Sequence, residues 1–164
     1  MVYKAEMSGT PCVAKSLISQ AMMLEVDEFI REASMLAKLR HPNVVMFFGI
    51  GIRDGTLYLI QELCNDGSLR DFMKTKAFAR NSKELAATFT GQLFRTIQYL
   101  HGRSVPIIHR DLKPDNIMVD TKTWCVYLID FGIATIANEG AFDRSGTIRA
   151  QMRGGTAAYL SPEQ

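Results

Sequence analysis

His109-Arg110-Asp111-Leu112-Lys113-Pro114-Asp115-Asn116-Ile117, followed downstream by Asp130-Phe131-Gly132, is the stretch on which the fold of this chain turns. Carboxylates, an ammonium and a side-chain amide recur at fixed intervals, with Asn116 five positions after Asp111. The apolar run Val126-Tyr127-Leu128-Ile129 predicts a strand that delivers the Asp130 carboxylate to a cleft. Oxygen donors of this kind suit a hard divalent cation. Each piece alone is ordinary turn chemistry: Asp-Phe-Gly is a common tripeptide, and Asp-Leu-Lys-Pro-Asp could merely end a strand. In this order and spacing they make a specific pattern.

The pattern resembles the catalytic core of the eukaryotic protein kinase family, and the resemblance extends along nearly the whole chain. It implies ATP-dependent phosphoryl transfer to a protein substrate, with ATP and Mg2+ as cofactors and Asp111 as the base that accepts the hydroxyl proton. Asn116 and Asp130 are then the metal ligands, and Lys113 touches the transferring phosphate. Val13-Ala14-Lys15 resembles the family's third-strand Lys motif, which would set Lys15 on the α- and β-phosphates. A buried ammonium there needs an opposed carboxylate. Glu32 is the candidate, since Phe29, Ala33, Leu36 and Arg40 fall at helical spacing and Glu32 lies on the same side. By resemblance, Val2 and Ala14 roof the adenine ring, Gln61 is the gatekeeper, the backbone of Glu62 and Cys64 meets the adenine edge, and Met118 completes the cofactor-binding set. His109, Phe131, Leu36 and Phe47 would form a hydrophobic spine.

Lys113 and Gly155-Thr156 are similar to the serine/threonine-specific members, and residues 41–45 with 57–69 look most like the tyrosine-kinase-like group. Arg110 precedes the base, where an Arg of phosphorylation-regulated kinases pairs with a phosphate; Ser145 and Thr147 are the candidate acceptors, beside Arg144 and Arg149. An upstream activating kinase would then be a partner. The chain begins without the family's Gly-rich loop and stops just after Ser161-Pro162-Glu163, so the expected domain is incomplete at both ends. Gly49, Gly51 and Gly55 do not replace that loop: Asp54-Gly55 between apolar runs predicts a hairpin turn.

The expected fold is α+β and bilobal, incomplete: a small antiparallel-sheet lobe over residues 1–64 and part of a helical large lobe over 65–164. Strands flank Ser8-Gly9 and Asp54-Gly55, and a helix runs from Val26 to Leu39. Asn65-Asp66-Gly67-Ser68 marks the hinge, Ser68 caps a short helix through Phe72, and Ala86, Phe89, Leu93, Ile97 and Leu100 trace the inner face of a longer one. With 47% hydrophobic and 22% charged residues there is material for a core, and a net charge of +2 gives no sign of nucleic-acid binding. Cys12, Cys64 and Cys125 are odd in number and scattered, which argues against a disulfide framework or zinc site and for a reducing, cytoplasmic setting. No membrane-spanning run is present: the longest nearly apolar stretch, Val44 to Ile52, is about half of the ~20 residues such a helix needs. The rival expectation is a noncatalytic, pseudokinase-like or regulatory binding module. The presence of Lys15, Glu32, Asp111, Asn116 and Asp130 together opposes a degenerate site.

Overall fold

The structure, a computed structural model, describes residues 1–17, 23–136 and 156–159. It is a mixed α+β arrangement. Strands β1 (Val2–Met7), β2 (Thr10–Ser16), β3 (Phe47–Arg53) and β4 (Thr56–Glu62) form an antiparallel sheet in the order β1-β2-β4-β3, and helix α1 (Met23–Leu36) lies between β2 and β3 in the chain. Both hairpins close with two residues of positive φ, Ser8 (50°) with Gly9 (82°) and Asp54 (50°) with Gly55 (73°). That double left-handed turn matches the twist of the strands it joins.

A helical portion follows: α2 (Leu69–Phe72), α3 (Lys76–Arg80) and α4 (Ser82–His101). Ser68 caps α2 as expected, accepting from the Asp71 N–H. Helix α3 was not foreseen; Thr75 caps it by accepting from the Phe78 N–H, and Phe78 packs edge-on against Phe72. Helix α1 starts three residues earlier than expected and ends at Leu36, so Arg40 lies beyond it and is exposed, whereas Phe29, Glu32, Ala33 and Leu36 are buried. On α4 the buried line is Leu85, Phe89, Thr96 and Leu100; Ala86 is exposed. The inner face includes a threonine because the Thr96 hydroxyl donates to the Gln92 carbonyl, which removes the cost of burying it.

Two small ribbons then frame the stretch from His109 to Gly132. Strand β5 (Ile107–Ile108) pairs with β8 (Thr135–Ile136), which brackets His109 and Phe131 from both sides. Strand β6 (Ile117–Asp120) pairs with β7 (Cys125–Leu128), with Ile117 opposite Leu128, so Asn116 sits beside Ile129 and accepts the Ile129 N–H on its carbonyl at 3.0 Å. The segment between α1 and β3 joins the sheet to the helical portion. Its Asn43 is buried, donating from Nδ2 to the Val126 carbonyl (2.9 Å) and to Gln92 Oε1 (2.8 Å), while its own carbonyl accepts from the Leu128 N–H. One core, including Leu36, Leu59, Leu100, Val126, Leu128 and Phe131, runs through both portions. Among the described residues, no helix is long and apolar enough to cross a membrane.

Candidate active site

Strand β2 and helix α1 set the first pair. Lys15 Nζ lies 2.6 Å from Glu32 Oε2, with the Glu32 side chain only 3% exposed. Burial works to lower the Lys15 pKa, but the Glu32 and Asp130 carboxylates outweigh it and hold the ammonium above its ordinary value. Asp130 Oδ1 is 3.6 Å from the same nitrogen. Asp130 itself adopts φ 62°, a left-handed conformation rare outside glycine. That backbone kink turns the chain out of β7, leaving the carboxylate half-exposed at the cleft while Phe131, next in sequence, is fully buried.

Asp111 stands at the centre of four donors. Thr156 contributes its backbone N–H (3.0 Å) and hydroxyl (2.9 Å) to Oδ1; Lys113 Nζ (2.6 Å) and Asn116 Nδ2 (2.9 Å) reach Oδ2. Burial favours the neutral acid here, yet the hydrogen bonds from Lys113, Thr156 and Asn116 prevail and keep the carboxyl below its usual range. Asp111 is therefore an ionised acceptor at neutral pH. Lys113 also donates to the Thr156 hydroxyl at 2.7 Å, closing the ring.

His109 supports this group from behind. Its Nε2 lies 2.9 Å from the Ile129 carbonyl and its Nδ1 accepts the Asp111 N–H at 3.3 Å, a pattern that the neutral Nε2–H tautomer satisfies on both nitrogens. Burial depresses its pKa, although the Ile129 hydrogen bond opposes that shift. The ring meets Phe131 edge-on with centroids 4.8 Å apart. Phe131 and Leu36 are buried, and Phe47 is half-buried against the same core.

The charged groups line a cleft of about 470 Å³ that includes Lys15, Glu32, Asp111, Lys113, Asp130 and Thr156. It shares Lys15, Glu32 and Asp130 with an adjoining, largely apolar hollow of about 260 Å³. Val2, Gln61, Glu62, Cys64 and Met118, which the resemblance assigns to the cofactor, all line that hollow. Ala14 does not. Successive strand residues face opposite sides of the sheet, so Val13 and Lys15 point to the hollow while Ala14, paired with Tyr3 and Ile60, lies on the other face beside Tyr58. Val13 takes the position expected for Ala14, and a spacing of two from Lys15 is the signal that identifies it. Val45 and Ile129, also missed, complete the apolar wall. Gln61 is 8% exposed and its Nε2 has no hydrogen-bond partner among the described residues, which leaves an orphaned donor at the wall of this hollow. Burial, reinforced by Glu62 and Asp120, pushes the Cys64 thiol up to about 12, so it remains protonated and is no nucleophile.

Two protein oxygens fit a hard divalent cation. Asn116 spends its Nδ2 on the Asp111 carbonyl and carboxylate, both at 2.9 Å, which leaves its side-chain carbonyl as one candidate ligand; the Asp130 carboxylate is the other. Among the described residues, no cluster of three or more His, Cys, Asp or Glu could hold a metal unaided. A cation with only two protein ligands is one that completes its shell with phosphate oxygens and water, as Mg2+ does. Arg110 is half-buried at φ 69°. Arg144, Ser145, Thr147, Arg149, Gly155 and Glu163 lie outside the described residues.

The whole chain, residues 1–164, matches the family described as "Protein kinase domain". It is 35% identical to a "Probable serine/threonine-protein kinase" of Dictyostelium discoideum over 99% of this chain and 15% of that protein. It is 32% identical to the serine/threonine-protein kinase CTR1 of Arabidopsis thaliana over 99% of this chain and 19% of the relative. A third relative, the serine/threonine-protein kinase Wnk of Drosophila melanogaster, is 34% identical over 96% of this chain and 6% of its own length. The chain thus spans less than a fifth of each of these curated relatives.

Proposed function

Because the chain belongs to the protein kinase domain family, we propose that the protein carrying it transfers the γ-phosphoryl group of ATP to serine or threonine hydroxyls of protein substrates. The observation that carries this is the Asp111 carboxylate, fixed by Lys113, Thr156 and Asn116 at the charged end of a cleft whose other end is an apolar hollow. Adenine is flat and mostly apolar, and it suits the hollow lined by Val2, Val13, Val45 and Met118. The hinge backbone at Glu62 and Cys64 reads its edge. Lys15, locked by Glu32, binds the α- and β-phosphates.

Asp111 takes the proton from the acceptor hydroxyl as its oxygen bonds to the γ-phosphorus and the bond to the β-phosphate oxygen breaks, giving phosphoprotein and ADP. Lys113 neutralises charge gathering on the transferred group. Asn116 and Asp130 would hold a magnesium ion, which when bound would supply electrostatic stabilisation of the phosphates. We assign residues 1–64 to a small lobe and 65–164 to part of a large lobe. The resemblance of residues 41–45 and 57–69 supports the tyrosine-kinase-like group, phosphorylation of Ser145 or Thr147 by an upstream kinase supplies regulation, and the three free cysteines support a cytoplasmic setting.

The test is label transfer from radiolabelled ATP to a protein acceptor by the full-length protein, with and without Mg2+, followed by acid hydrolysis. Label is expected on phosphoserine and phosphothreonine, and Asp111→Asn should lower kcat by about 10²- to 10⁴-fold while ATP still binds. Label confined to phosphotyrosine, or transfer unaffected by Asp111→Asn, overturns the assignment.

A further inference from the structure

Asp111 is held by two short turns of the chain, and a single side chain outside the cleft grips both. The first turn, Pro114–Asn116, carries Asn116, which donates to Asp111. The second, Ala157–Tyr159, follows Thr156, which donates to Asp111 twice, and the Tyr159 N–H closes back on the Thr156 carbonyl at 2.8 Å. Arg70, in α2, reaches from the helical portion to each of them. Its Nε donates to Asp115 Oδ1 at 2.7 Å, one residue before Asn116. Its Nη2 donates to the Tyr159 hydroxyl, and the guanidinium carbon lies 5.7 Å from the centre of the Tyr159 ring.

We propose that Arg70 is a positioning residue for the phosphoryl-transfer step: by clamping Asp115 and Tyr159 together it fixes the two turns that aim Asn116 and Thr156 at Asp111. This rests on the kinase reading for its effect on rate, though the clamp itself rests on geometry alone. The planar guanidinium is what permits it. One edge meets the carboxylate and another the phenol, while its face and charge address the ring, a set of contacts a point charge on a flexible stem does not reproduce. Arg70 and Asp115 are 40% and 43% exposed, so the pair taken alone contributes little to folding. Its consequence is geometric. Released from Arg70, the turn at 157–159 is free to shift, and Thr156 moves with it, withdrawing two of the four donors on Asp111.

Full-length Arg70→Ala, Tyr159→Phe and the double variant test this, with rates normalised to sites that bind nucleotide so that any misfolded fraction cancels. Arg70→Ala is expected to lower kcat about tenfold with nucleotide Kd unchanged, Tyr159→Phe to lower it less, and the double variant to lose no more than Arg70→Ala. Arg70→Lys should fall between. Hydrogen exchange on the same proteins provides a readout independent of activity: the Thr156 and Tyr159 amides should exchange at least about fivefold faster in Arg70→Ala while those of Val126 and Leu128 do not change. Unaltered exchange at 156–159, or losses from Arg70→Ala and Tyr159→Phe that simply multiply, overturns the clamp. A wild-type protein that transfers no phosphate overturns the kinase reading instead, and the exchange rates still decide the clamp.

Discussion

The two ends of the cleft are held by different forces. At the hollow, Val2, Val13, Val45 and Ile129 present apolar surface, that of Val2 and Val13 oriented by strand parity, and these four side chains act through area rather than through a single atom-to-atom contact. At the charged end, Lys15, Glu32, Asp111, Lys113, Asn116 and Thr156 each hold a bond whose loss strands a partner. Apolar contact is graded, since trimming a methyl group removes a small part of it. Buried polar networks fail steeply, because a group left without its partner pays the cost of desolvation. Substitutions should therefore have shallow effects at the hollow and sharp ones at the charged end.

The largest expected break is Lys15→Met, which leaves the buried Glu32 without its counterion. It should cost about 2 kcal/mol, below the usual figure for a fully buried pair because Lys15 is a third exposed. Adding Glu32→Gln should recover part of the loss, so chemical denaturation of the two single variants and the double would give a less-than-additive cycle. Additivity would place the charged end with the hollow.

A smaller effect lies in pH. His109 is held below its ordinary value of 6.5 by burial, so the unfolded chain takes up a proton near 6.5 that the folded ring refuses until lower pH. Stability from the neutral ring is fully present above 6.5 and is lost as pH falls through the folded value, at no more than about 1.4 kcal/mol per pH unit. His41, also depressed by burial, acts in the same direction. Melting of the full-length protein between about pH 7.5 and about pH 5.5 should show a downward slope that His109→Phe reduces but does not abolish. An unchanged slope in the variant would remove His109 from the steep side of the comparison.

The smallest effect sharpens the hollow itself. Val13→Ala enlarges it and should weaken ATP binding by about two- to fivefold, the value of two lost methyl contacts. Ala14→Gly, one position along and on the opposite face, should leave ATP affinity unchanged. Titration of both variants with nucleotide decides it, and equal effects would contradict the strand parity.

What the sequence disclosed follows from how local each feature is. The Ser8-Gly9 and Asp54-Gly55 turns, the Ser68 cap and the strand before Asp130 are set by neighbours a few positions apart, and all were legible. Of the six residues assigned by resemblance to the nucleotide beside Lys15, the structure places five, Val2, Gln61, Glu62, Cys64 and Met118, around the hollow. Ala14 was misassigned although the needed information, alternation along a strand, was in the sequence. Helix α3 has five residues, too few for periodicity to register, and its Phe78 docks on a ring outside the helix. Asn43 and Arg70 were illegible for another reason. Asn43 bonds Val126, 83 positions away, and Arg70 bonds Asp115 and Tyr159 at 45 and 89 positions, separations at which pattern within one element carries no signal.

Asn43 has a mechanical consequence. Its amide is pinned at once to a backbone carbonyl of β7 and to a side chain of α4, and its carbonyl to another β7 amide, so the base of the sheet cannot slide along the helical portion. With the Val45 N–H also bonded to the Leu128 carbonyl, any relative motion that kept these bonds would be a rotation about residues 43–45. A widening of the cleft that kept them would then act as leverage: Val45, two residues from Asn43, would scarcely travel, and the far rim of the sheet would sweep the widest arc.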